Sequence, residues 1–152
     1  PPSGERRTVR RRMTEVGLWG IEDVKSMSER IESFLQLRVY QAACALDLAI
    51  FAESKAWPRE ELYSLTDQVR RSSRSIGANI AEAWAKRRYV AHFVSKLTDS
   101  DGELNETWHW ILRAAAYGYL PEQRAAALLT ECDSVGRMLG KMMAEPEPFS
   151  GA

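Results

Sequence analysis

Only two cysteines and two histidines occur in 152 residues, and that scarcity removes several kinds of chemistry. Cys44 and Cys132 both fall inside helical patterns, where a cysteine acts as a small buried hydrophobe rather than half of a disulfide. His92 and His109 have no set of cysteines around them, so neither a metal site nor a cofactor is expected. No apolar run approaches the roughly 18 residues that a membrane span needs, which excludes a membrane-embedded protein. The first arginines are not followed by an apolar segment and a small-residue cleavage site; no secretory signal is read, and a cytoplasmic location is the default expectation. Net charge is also lacking: 21 basic residues meet 21 acidic ones. Nucleic-acid affinity would therefore have to come from local patches, not from a basic body.

What is present is helix. From Gln68 to Glu82 the chain reads QVRRSSRSIGANIAE. Around it, Leu62, Leu65, Val69, Ser72, Ile76, Ile80 and Ala83 step by three and four, as on a core-facing helical stripe. Gln68, Ser75, Asn79 and Glu82 make a polar row that borders the apolar one. Arg70, Arg74, Gly77, Ala78, Ala81 and Ala85 make a third row running from cationic to small. Little solvated face remains, so this helix is expected to be covered on more than one side. The Ile76 row is assigned to the protomer core, the Asn79 row to buried hydrogen bonding at helix or subunit contacts, and the Gly77 row to close approach by another helix.

The chain divides into a basic arm (1–26), a helical body (27–144) and a disordered tail (145–152). Five arginines against Glu5 give residues 1–12 a net charge of +4. Val16, Leu18, Trp19, Ile21 and Val24 then form a short apolar piece expected to dock onto protein. Met27-Ser28 has the form of a translation start, which would make the arm a gene-boundary artefact. Helix one, capped by Ser26 or Ser28, is predicted from about Glu29 to Ser54. Trp57-Pro58 breaks the chain, and helix two follows from about Pro58 to Lys86. Helix three begins near Val90, carries Phe93, Leu97, Leu104, Trp108, Ile111, Leu112 and Ala115, and includes Gly102, read as a point of close helix approach. Gly118 caps it, and Leu120-Pro121-Glu122 opens helix four, which Glu145-Pro146 ends. Short links between long helices predict an all-α, antiparallel up-down-up-down four-helix bundle.

Catalytic patterns are sparse. Glu106-Thr-Trp-His109 fits the Glu-x-x-His of carboxylate-bridged metal bundles once, without the second copy such sites require. Ser72, Ser73 and Ser75 have no base at a recognisable spacing. No enzyme is read. Cations are more suggestive: Arg70, Arg71 and Arg74 fall within two turns, and Lys86, Arg87 and Arg88 close the helix. Arginine suits phosphate, yet the same residues serve equally as partners for nearby carboxylates. Trp108 and Trp110 offer stacking surfaces for bases or, at helical spacing, core packing.

Leu62 to Glu82, LYSLTDQVRRSSRSIGANIAE, resembles the signature of a small four-helix-bundle family, with Trp57-Pro58, Leu104-Asn105-Glu106 and Tyr117-Gly118-Tyr119-Leu120 as further matches. That family includes proteins encoded in intervening sequences of bacterial large-subunit ribosomal RNA genes and the accessory variability determinant of diversity-generating retroelements. The resemblance spans about residues 34–140. It implies a homopentameric ring and, in the retroelement branch, RNA or DNA binding and a reverse-transcriptase partner. It carries Gln68, Ser75, Ile76, Asn79, Ile80 and Glu82 as structural or interface residues, and Arg70, Arg71 and Arg74 as phosphate contacts. Two features depart from the family: Ala83-Trp84-Ala85-Lys86 replaces two glycines, and Asp99, Ser100 and Asp101 occupy positions that are often apolar. The expectation is a non-enzymatic, oligomeric, nucleic-acid-associated module; a protein-binding scaffold is the alternative.

Overall fold

The computed structural model describes residues 30–150. The basic arm, with its apolar piece and the Ser26 or Ser28 cap, lies outside the described residues. The four long helices are α1 (Arg38–Ser54), α2 (Leu65–Ala85), α3 (Val90–Ala116) and α4 (Glu122–Ala144), followed by the single turn α5 (Glu147–Ser150). Each packs against the next, and α4 closes onto α1. Pairing runs in opposite directions: Ser72 meets Thr107, Ile76 meets Ser100 and Glu82 meets Lys96 across α2 and α3. An ion pair between Arg124 of α4 and Glu53 of α1 ties the closing pair of helices. This is the antiparallel four-helix bundle that the periodicity predicts.

The first two helices start later than their apolar patterns suggest. Ser33 and Gln36 form a capping box: Ser33 Oγ accepts from the Leu35 amide, and Gln36 Oε1 accepts from the Ser33 amide. The box starts only the 3-10 turn Phe34–Gln36, because Leu37 is extended (φ −70°, ψ 126°) and the α-helix begins after it. Helix one is thus 17 residues and not the expected 26 or so. Pro58 likewise opens a 3-10 turn, Arg59–Glu61, and Leu62 to Ser64 turn again before α2. Leu62, placed in the core by its spacing, is 40% exposed as a result.

At the other boundaries the local chemistry is decisive. Gly118 takes φ +82°, letting the Tyr119 amide reach the Ala114 carbonyl and the Gly118 amide the Ala115 carbonyl, the paired bonds of a Schellman C-cap. Pro121 precedes α4 and places Glu122 in its first turn. Beyond α4 the chain makes one further helical turn, α5, up to Ser150. Phe149 stacks on buried Phe93 with centroids 6.3 Å apart, so α5 covers one end of the core.

Val69, Ile76, Ile80 and Ala83 of α2 meet Leu46 and Ile50 of α1, Phe93, Leu97 and Ile111 of α3, and Val135 and Leu139 of α4 in one apolar core. Each fully buried Leu, Ile or Phe contributes about 1.5–3 kcal/mol relative to exposure. Gly102 proves not to mark close approach: it is exposed, and a Cβ there would meet nothing within 4 Å. Close approach occurs instead at Gly136, where a Cβ would sit 3.3 Å from Leu104 Cδ2. Trp108 and Trp110 pack against the core as partly buried residues, while Leu112 is exposed.

Candidate nucleic-acid interface

The cationic residues of α2 do not form one patch. Arg70 turns toward α1, where its Nε donates to Ser54 Oγ at 2.8 Å and its guanidinium lies 4.8 Å from the Phe51 ring centroid. Arg74 reaches the same ring at 5.9 Å. It also opposes the effect of burial on Asp47: burial raises that carboxyl's pKa, and the Arg74 charge lowers it. Arg71, one position round the helix, is exposed on the α3 side and acts on Glu103, whose pKa burial raises first and Glu106 raises further. Two of the three clustered arginines are thus engaged within the protomer.

Lys86, Arg87 and Arg88 lie at the far end of α2, about 22 Å along the axis from Arg71. Here the last carbonyls of α2 lack helical partners and carry the negative end of its dipole, which favours cations. Arg87 answers both demands: one guanidinium nitrogen donates to the Trp84 carbonyl at 3.0 Å while the group lies 4.1 Å from the Trp84 ring centroid. Lys86 and Arg88 are exposed beside it. The link continues with Tyr89, 62% exposed, whose ring stands 5.9 Å from that of exposed His92. Lys86, Arg88 and Tyr89 are therefore exposed together on the α2–α3 turn, with the His92 ring just beyond on the first turn of α3.

Within the protomer, the polar row of α2 lies outside the apolar core. Gln68, Ser75 and Asn79 are half-buried and Glu82 is exposed. Ser75 Oγ donates to the Arg71 carbonyl at 2.8 Å, and Asn79 Nδ2 donates to the Ser75 carbonyl at 2.9 Å, so these bonds stay within the helix. Glu82 reaches α3 through an ion pair with Lys96 at 2.7 Å, and Lys96 also meets Asp99 at 3.4 Å. The hydrogen bond from Lys96 lowers the Glu82 pKa and raises that of Lys96. This pair accounts for an acid at Asp99.

The buried polar contacts between helices come from Ser72, which the core-facing stripe includes, from Ser100, which the family comparison marks as a departure, and from Thr107, which the sequence reading did not single out. Ser100, fully buried, donates to the Ile76 carbonyl at 2.8 Å. Thr107, also fully buried, places its hydroxyl 2.9 Å from both Ser72 Oγ and the Glu103 carbonyl, while Ser72 Oγ donates to the Val69 carbonyl at 3.2 Å. Their signal was present, since Leu97, Ser100, Leu104, Thr107 and Ile111 step by three and four.

Between α1 and α2 lies a groove of about 290 Å³ lined by Phe34, Tyr40, Cys44, Asp47, Arg74 and Gly77. Gly77 faces it without crowding, as a Cβ would stand 3.6 Å from Tyr40. The Tyr40 pKa is raised, first by its hydrogen bond with Cys44 and then by burial. At the Glu-x-x-His sequence, Trp110 Nε1 donates to Glu106 Oε1 at 3.2 Å. Among the described residues, no group of three or more His, Cys, Asp or Glu is placed to hold a metal, and no helix is long and apolar enough to cross a membrane.

An all-helical bundle with a cationic, ring-bearing turn and a neutral body defines a class of small helical modules. The chain belongs to the 23S rRNA-intervening sequence protein family, whose sequence model matches residues 35–141. Among solved structures it is similar to a Bacteroides thetaiotaomicron protein of unknown function from the S23 ribosomal protein family, with a TM-score of 0.64 and 24% identity over 70% of this chain and 95% of that one. That similarity supports the fold. No curated protein sequence matches the chain.

Proposed function

We propose that the protein is a non-enzymatic, self-assembling bundle that holds single-stranded nucleic acid on the turn between α2 and α3. The carrying observation is the joint exposure of Lys86, Arg88 and Tyr89 beside the Arg87–Trp84 stack. Cations track the phosphate backbone while rings stack on bases, and neither needs a particular sequence. Arg71, exposed farther back on the α3 side of α2, adds a separate cationic point; Arg70, fixed on Ser54 and Phe51, acts chiefly as a structural clamp, and Arg74 faces α1. The family resemblance supports a homopentamer and, in a retroelement setting, a reverse transcriptase as partner. Leu112 of α3 and Tyr117, which caps it, remain exposed as apolar surface for a subunit contact.

Fluorescence anisotropy with labelled single-stranded RNA and DNA at low salt tests the binding. Saturable binding to the full chain, weakened by Arg88→Ala with Lys86→Ala, is expected. No affinity at low salt overturns the reading and leaves a protein-binding scaffold. Light scattering tests assembly separately: the mass of five protomers is expected, and a stable monomer contradicts the ring.

A further inference from the structure

We propose that the groove between α1 and α2 is the docking site of this chain's own segment Val16–Val24, bound in cis. The groove has an apolar floor, with the Phe34 and Tyr40 rings edge to face at 4.9 Å. Its lining holds one cation, Arg74, and one acid, Asp47, and Arg74 joins the groove to a cationic cluster beyond it, where Lys55, Arg70 and Arg74 gather round Phe51 at 4.8, 4.8 and 5.9 Å. Such a surface suits an apolar peptide that carries negative charge.

One segment of the chain has that chemistry. Met13 to Val24 includes Val16, Leu18, Trp19, Ile21 and Val24 with Glu15, Glu22 and Asp23, and contains no Lys or Arg. It lies outside the described residues, and the described chain after it reaches the groove at Phe34, which is part of the lining. The ten residues from Val24 to Phe34 reach up to about 33 Å when extended. Tyr40 to Phe51 spans only about 17 Å along α1. A short tether of this kind holds the segment at an effective concentration on the order of millimolar, which a second copy or a separate partner must exceed.

Cys44 reports occupancy, being half-buried within the groove. Cys132 is buried in the core with its thiol pushed up to about 12, so at mildly alkaline pH it stays silent unless the bundle opens. Alkylation of both cysteines, resolved by peptide mass, is compared in the full chain, in Leu18→Asp and Trp19→Asp, and in Thr8→Asp as a control within the arm. Docking predicts that Cys44 alone reacts about tenfold faster in the two apolar-segment variants than in the wild type or the control, as expected for a protected site released from a local closed state. Protection that is unchanged on dilution supports binding in cis. Equal Cys44 rates in all four proteins overturn the proposal, as does acceleration shared by Cys132. Protection that fades on dilution assigns the groove to another copy and likewise overturns it.

Discussion

Ser72, Ser100 and Thr107 show how single hydroxyls position α2 against α3. All three are buried, and each sits where an apolar residue would satisfy the helical period equally well. A hydroxyl in such a place costs free energy unless it is hydrogen-bonded, and here the bonds cross between helices and so favour one register of α2 on α3. Thr107→Val keeps the shape and removes the bond to Ser72, which retains the Val69 carbonyl. A loss of about 1 kcal/mol is expected in urea denaturation, with a similar loss for Ser100→Ala. The exposed Glu82–Lys96 pair should act through pH. Its carboxyl is held below the ordinary range in the folded chain, so its contribution is present above that range and is lost as pH falls through the lowered value. Lys96, raised in the fold, contributes below the ordinary lysine range and loses that contribution as pH rises through its raised value. Lys96→Met should flatten the acid limb of stability against pH and return Glu82 toward its ordinary titration, read by NMR.

At the scale of the elements, two glycines on α3 and its cap carry opposite expectations. Gly102→Ala should stabilise by about 1 kcal/mol, since nothing within 4 Å opposes a Cβ and alanine is the better helix former. Gly118→Ala should destabilise by about 1 kcal/mol or more, because φ +82° is unfavourable for any residue with a Cβ. Thermal melts of the two variants check both signs. The ends of α3 and α4 were legible because Gly118 and Pro121 act locally. The start of α1 was misplaced for an equally local reason: Ser33-Phe-Leu-Gln36 is a capping box, and it outweighs the apolar spacing that runs on before it. Gly102 was misread because spacing alone cannot separate a glycine at a helix crossing from one facing water.

For the whole molecule, the bundle architecture follows from long apolar periodicities and short links, and both were plain in the sequence. The division of the cations was not. Arg70, Arg71 and Arg74 are close in sequence, but successive positions turn 100° round a helix, so Arg70 and Arg71 face different neighbours. Phe51 and Ser54, which occupy Arg70, come from another helix and give no local sign. The turn at Lys86 to Tyr89 stayed together because a link between helices keeps adjacent residues adjacent in space. The central claim, that this turn contacts phosphate, is tested most directly by the salt dependence of single-stranded RNA binding. Each lost phosphate contact lowers the slope of log affinity against log salt by about 0.7. Lys86→Gln with Arg88→Gln should therefore reduce the wild-type slope by about 1.4. A slope unchanged by the double substitution would place the phosphate elsewhere on the protein and contradict the account.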